Sequence, residues 1–190
     1  MLPLWPGLVM AGQVARDTME SVKRISGNKI EEAVTGFLIH FPFFQSLEKE
    51  ELATISDHID FIEVEAGATL FKEGDEGDCV YFLVDGEIEV IKETAGGSRL
   101  GDSKVVIATL TRGSTIGELS MIDNTPRSAT VQTHSKSTLV RLTIDGFELV
   151  LEQYPRIGIK ILKGLTQLLS RNLRKTTGRL ADYSISQDKF

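Results

Sequence analysis

Between Phe61 and Leu142 the apolar residues come in short runs (FIEV, TLF, CVYFLV, EIEVI, KVVIATL, ATVQT, STLVRL). Each run is closed by a turn-forming stretch such as EAG, EGDEGD, VDGE, AGGSRLGD or TRG. Runs of this length, rich in β-branched and aromatic residues and bounded by Gly and Asp, predict about seven or eight short strands. No helical pattern separates most of them, so an antiparallel sandwich or jelly roll is expected rather than a parallel sheet. On either side the period changes. Val14, Met19, Val22, Ile25, Ile30, Val34 and Leu38 recur at helix-like intervals broken at Gly27 and Asn28, which predicts one or two N-terminal helices. A further helix is expected over Glu48 to His58, with Leu52 and Ile55 on one face.

After the strands, Asp145 to Gln153 reads as a short helix ended at Tyr154–Pro155, because the residue before a proline disfavours the helical region. A long helix from about Arg156 to Tyr183 follows. In it Leu162, Leu165, Leu169, Leu173, Leu180 and Tyr183 form a heptad-like seam, and Thr176 stands where another apolar residue is due. Packing on the β core and a dimer seam with a polar position left for a ligand are both compatible with that pattern. The organisation expected is thus mainly β with flanking helices: a helical extension over 1–36, a β roll over 37–155, a C-terminal helix over 156–183 and a tail over 184–190.

A chain of 190 residues suits one domain with modest extensions. Its net charge of -6 lacks the basic footprint of a nucleic-acid-binding domain. The basic residues Lys160, Lys163, Arg171, Arg174, Lys175 and Arg179 are spread along the last helix and read as its solvated face. Cys79 is the single cysteine, which excludes an intramolecular disulfide and a cysteine-based metal site. His40, His58 and His134 are scattered, with no HxH or HExxH pair, so a metal-dependent enzyme on a double-sheet scaffold has no visible ligand set. EGDEGD is acidic but lacks the order of a calcium loop and reads as a turn. The apolar beginning MLPLWPGLVMAGQ has no basic lead and is interrupted by Pro3 and Pro6, unlike an export signal. No apolar run approaches the ~18 residues of a membrane span. A cytoplasmic protein without metal or cofactor is expected.

The stretch from Ile116 to Val131, IGELSMIDNTPRSATV, carries an acid and an arginine nine residues apart, Glu118 and Arg127, around a short helix candidate and a proline loop. An arginine fork suits two phosphate oxygens, and the small Ser128 and Ala129 let backbone amides approach the same anion. The carboxylate of Glu118 accepts hydrogen bonds from hydroxyls, which a sugar offers. Phosphate plus ribose is one reading; a mutual ion pair across the loop is equally compatible with the spacing.

This segment resembles the phosphate-binding cassette of the cyclic nucleotide-binding domain family: Gly117, Glu118, Leu119, Pro126, Arg127, Ala129, Thr130 and Val131 match the pattern without an insertion. The stretch from Glu65 to Val90 resembles the first strands of that family's β roll, with Gly67, Gly74, Gly77 and Gly86 at its turns. The resemblance spans about residues 37–182 and implies a receptor rather than an enzyme. It implies that Glu118 binds the ribose 2′-hydroxyl, that Arg127 binds an exocyclic phosphate oxygen, and that amides around Ser128 and Ala129 take the other phosphate oxygens. Gly117 would let the backbone approach the sugar, with Leu119 and Ser120 beside it. In bacterial catabolite activator-like members paired hydroxyl residues on the long helix touch the adenine, and Thr176 and Thr177 occupy the similar place. Ser128 is compatible with either base; the balance favours cAMP over cGMP as ligand. The activator-like members continue into a helix-turn-helix, which is not expected here. The output would pass through the C-terminal helix to an effector protein or to a homodimer partner, with no nucleic acid or membrane involved. A degenerate module that keeps the fold without nucleotide is the alternative. If Arg127 is tied to ligand rather than to the core, Arg127→Ala should abolish binding with little loss of stability.

Overall fold

The computed structural model describes residues 22–24, 36–94 and 103–187, and these form two compact units. Of these, residues 22–24, 59–94 and 103–144 belong to the first, and residues 36–58 and 145–187 to the second.

The first unit is a pair of antiparallel sheets. Its strands are β1 Val22–Arg24, β2 Ile59–Val64, β3 Thr69–Phe71, β4 Cys79–Asp85, β5 Glu87–Thr94, β6 Ser103–Thr111, β7 Thr115–Ile116, β8 Thr130–Thr133 and β9 Ser137–Thr143. One sheet runs β1-β2-β9-β4-β7 and the other β3-β8-β5-β6. Alternation in the sequence explains the layering. Ile62 and Val64 of β2, Tyr81 and Leu83 of β4, Ile88 of β5, Val131 of β8 and Leu139 of β9 point inward and form one buried cluster with Cys79 and Ile116. β4 differs from its neighbours, because Cys79 through Leu83 are buried without alternation. That is the pattern of a strand covered on both faces. The jelly-roll architecture is therefore the one the strand runs lead to.

Two local expectations differ from what is found. Val22–Arg24, expected to be helical, is an edge strand in which Val22 pairs with Val64 and Arg24 with Ile62. Its conformation is set by β2, about forty residues away in sequence, which local periodicity does not register. The rest of the expected extension over 1–36 lies outside the described residues, apart from residue 36. The two-residue β7 was not expected either; its pairing of Ile116 with Tyr81 delivers the chain to the cassette.

The second unit is helical. It contains α1 Lys49–Ser56, most of α3 Ile144–Gln153, and α4 Pro155–Gln187; α2, Glu118–Asp123, belongs to the first unit. Pro155 opens α4, where its missing N–H costs nothing and its fixed φ suits the helix. Leu38, Phe41, Phe43, Phe44, Leu52, Ile55, Val150, Ile157, Ile161 and Leu165 are buried. Of the expected seam, Leu165 is buried and Leu169 half-buried, while Leu173 and Leu180 are 68% and 65% exposed. The side chain of Tyr183 lies outside the described residues.

Within this unit Lys160 donates to both carboxylate oxygens of Glu51 at 2.7 Å, and Glu51 also accepts the Glu48 N–H at 2.8 Å, closing a capping box. The Lys160 bond first, then the Glu48 amide, hold the Glu51 carboxyl below its usual value. A lowered folded-state pKa stabilises above the unfolded-state value and is lost as pH falls through the folded one. The stability gap between wild type and Glu51→Gln is therefore expected to shrink as pH drops through the acidic range, measured by thermal melts at a series of pH values. A gap independent of pH would show that the pair does not contribute.

Candidate ligand-binding site

The candidate site is built on the arm from β7 through α2 to β8. Gly117, after β7, has φ +82°, a left-handed conformation that favours glycine. A Cβ there would also lie 2.3 Å from Nη1 of Arg127. α2 then runs for six residues and stops at Asn124, whose φ of 52° is again left-handed, as helix ends allow for asparagine. The Asp123 carboxylate accepts the Thr125 hydroxyl at 2.7 Å and its amide at 3.0 Å, so the loop folds back on itself before Pro126. Those two bonds, the hydroxyl first, lower the Asp123 pKa.

Arg127 follows, with its side chain 1% exposed. Nη1 donates to the Gly117 carbonyl at 3.0 Å and Nη2 to the Cys79 carbonyl at 2.8 Å. Nη2 also meets Oδ1 of Asp78 at 3.3 Å, and the guanidinium carbon stands 4.2 Å from the centre of the Phe71 ring, which stacks in turn on Tyr81. Asp78 itself is 69% exposed. Beside this cluster the buried Cys79 thiol is pushed up to about 12 by burial first and by the Asp78 carboxylate second, so it is an inert thiol at neutral pH.

The acidic turn over residues 72–78 is laced to the same arm. The Arg127 amide donates to the Asp75 carbonyl at 2.8 Å, the Gly74 amide to the Arg127 carbonyl at 2.9 Å, and the Glu73 amide to Oγ1 of Thr130 at 3.0 Å. Asp75 accepts the Lys72 amide at 2.7 Å, the bond that shapes the turn. Two buried side-chain polar atoms among the described residues have no hydrogen-bond partner, Nε of Arg127 and Oγ1 of Thr115. One lies at the centre of the cassette and the other on the strand leading into it.

Gly117, Glu118, Leu119, Ser120, Arg127, Ser128 and Ala129 are all brought together on this one arm. Glu118 opens α2 and is half-buried; Leu119 is 47% exposed; Ser128 is exposed and Ala129 buried. Ser120 is buried against Gly77, where an added Cβ would fall 2.1 Å from the serine Cβ. Thr176 and Thr177 belong to the second unit, on an exposed stretch of α4, where their hydroxyls donate to the carbonyls of Asn172 and Leu173 at 2.9 Å. The expectation that Arg127 is independent of the core is overturned, because its guanidinium closes the buried Cys79 carbonyl and the part-buried Gly117 carbonyl. Phe71, Asp78 and the Cys79 carbonyl were missed; a carbonyl has no sequence signature, and Asp78 was one acid among several in its turn.

Two antiparallel sheets around an arginine-centred cassette define a ligand-binding β roll. Residues 61–154 match the family model described as the cyclic nucleotide-binding domain, and through this segment the chain belongs to that family. It is 29% identical over 163 residues to the cAMP-dependent protein kinase regulatory subunit of Mycosarcoma maydis, covering 86% of this chain and 29% of that one. A glutaminase of Bradyrhizobium diazoefficiens is 31% identical over 147 residues, which is 77% of this chain and 22% of the enzyme. The crystal structure of a cyclic nucleotide-binding domain from Methylobacillus flagellatus superposes with a TM-score of 0.74 at 27% identity, covering 86% of this chain and 89% of that one. The chain thus spans less than a third of the length of these two curated relatives. No helix among the described residues is long and apolar enough to cross a membrane.

Proposed function

We propose that the chain is a non-enzymatic, cytoplasmic receptor module for a cyclic nucleotide, with cAMP favoured over cGMP. The observation that carries this reading is the state of Arg127: a permanent charge, buried and aimed by two carbonyls, with its Nε–H still unpaired. An unpaired buried donor costs about 1–3 kcal/mol, and a phosphate oxygen would satisfy it. Asp78 is the exposed partner of the guanidinium, so it is the one an incoming phosphate replaces. Amides around Ser128 and Ala129 complete the phosphate cradle, and Glu118 takes the ribose 2′-hydroxyl. Thr176 and Thr177 are the candidates to read the base, and their hydroxyls are at present bonded to the helix backbone.

In this reading ligand shifts α4 between two arrangements, and only a difference in affinity between them can drive the shift. The signal passes to an effector in trans or across a homodimer through the exposed Leu173 and Leu180. The name of the Mycosarcoma maydis relative, a cAMP-dependent regulatory subunit, supports the choice of ligand.

Calorimetry of the full chain with cAMP and with cGMP tests the proposal. Heat saturating at one site is expected, and silence with both nucleotides would support the second reading, in which Arg127 is a structural residue of a module without nucleotide. That reading draws on the same carbonyl bonds. Thr176→Val is expected to change the ratio of cAMP to cGMP affinity while leaving the phosphate contacts intact; an unchanged ratio would show that α4 does not read the base.

A further inference from the structure

The polar face of α4 is unlike an ordinary solvated helix surface. Between Pro155 and Gln187 there are seven basic side chains and one acidic, a net +6 in a chain of -6, so the remainder carries -12, the total less the helix. Lys163, Gln167, Ser170 and Arg174 follow at spacings of four, three and four, and with Thr166 and Arg171 they share one face of the helix. At 1.5 Å per residue this stripe is ~16 Å long.

Three ordinary explanations for such a stripe fail. No acidic residue lies three or four positions from Lys163, Arg171 or Arg174, so none is held by a pair along the helix. None of them forms an ion pair among the described residues, whereas Lys160, one turn before Lys163, is held by Glu51. The helix dipole does not account for them either, because the last turn contains no basic residue. Arg171 and Arg174, Arg171 and Lys175, and Lys175 and Arg179 even stand at the spacings where like charges weaken a helix.

We infer that this basic face of α4 docks an acidic segment of a partner polypeptide. Complementary charge relieves the like-charged pairs. Gln167 and Ser170 offer acceptors as well as donors, which a peptide backbone uses and a phosphodiester or lipid phosphate does not. A long polyanion, duplex or membrane, would extend past a stripe of this length and carry its further charges into the field of a chain whose net charge is -6. A short peptide would not.

The test is fluorescence anisotropy of the full chain with labelled pentaglutamate, ~16 Å long when extended and so matched to the stripe, alongside a duplex DNA and vesicles containing phosphatidylserine. The peptide is expected to bind, more weakly at higher salt, and to lose about tenfold or more in affinity with the triple change Lys163→Gln, Arg171→Gln, Arg174→Gln, as rim ion pairs do when several are removed together. These side chains lie outside the cassette, so the nucleotide heat is expected to stay unchanged. Circular dichroism and the charge-reversed triple variant with Glu separate lost docking from lost helix. No peptide binding, binding that the variants retain, or duplex or vesicle binding as tight as that of the peptide would each overturn the inference.

Discussion

Arg127→Ala is expected to abolish cyclic nucleotide binding and, in the same protein, to lower stability by about 2–4 kcal/mol. The second half follows from the carbonyls of Cys79 and Gly117, which lose their donors in a buried and a part-buried setting, each at about 1–3 kcal/mol with the Gly117 carbonyl toward the low end. Part of the loss is offset where water enters. Chemical denaturation and calorimetry on one preparation check both halves. Arg127→Lys retains a charge but not the planar fork that meets two carbonyls at once, so it should fall between wild type and alanine in stability and still bind poorly. An alanine variant as stable as wild type would show that the carbonyl bonds contribute nothing.

Gly117→Ala is expected to be the next most damaging change, although it adds one methyl group. Its φ of +82° is costly for any residue with a Cβ, and the new atom would sit 2.3 Å from Nη1 and 3.2 Å from Cζ of Arg127. A flexible arginine would swing aside. This one is pinned by Cys79 and flanked by Phe71, so relieving the clash disturbs the same group that meets the ligand. A stability loss of about 1–3 kcal/mol and a fall in nucleotide affinity of at least roughly tenfold are expected, read by thermal melts and by competition with a fluorescent nucleotide. Unchanged affinity would mean that Arg127 is not the ligand's anchor.

Which features were legible follows from the range of the forces that set them. The strand runs from FIEV to STLVRL could be read because a half-buried strand writes its own alternation, and the cassette because its backbone needs Gly117, Pro126 and small residues in a fixed order. Val22–Arg24 could not, since its strand conformation is imposed by β2 across the fold. Burial of Arg127 was misjudged for a related reason. A charged residue in a loop reads as exposed, and the groups that make its burial tolerable are carbonyls and a ring supplied by β3, β4 and the Gly117 turn. The role of Ser120 was blurred likewise, because it depends on Gly77, which is distant in sequence.

The most direct test of the central claim is the ¹⁵N–¹H signal of the Arg127 Nε–H, assigned by its loss in Arg127→Lys. This donor is buried and unpaired, so its proton is shielded from rapid exchange and its shift reports what comes to meet it. On addition of cAMP it is expected to move strongly downfield, as a donor does on bonding to a phosphate oxygen, and to stay in place with adenosine, which has no phosphate. A cAMP complex in which this signal does not move would contradict the assignment of Arg127 as the phosphate anchor.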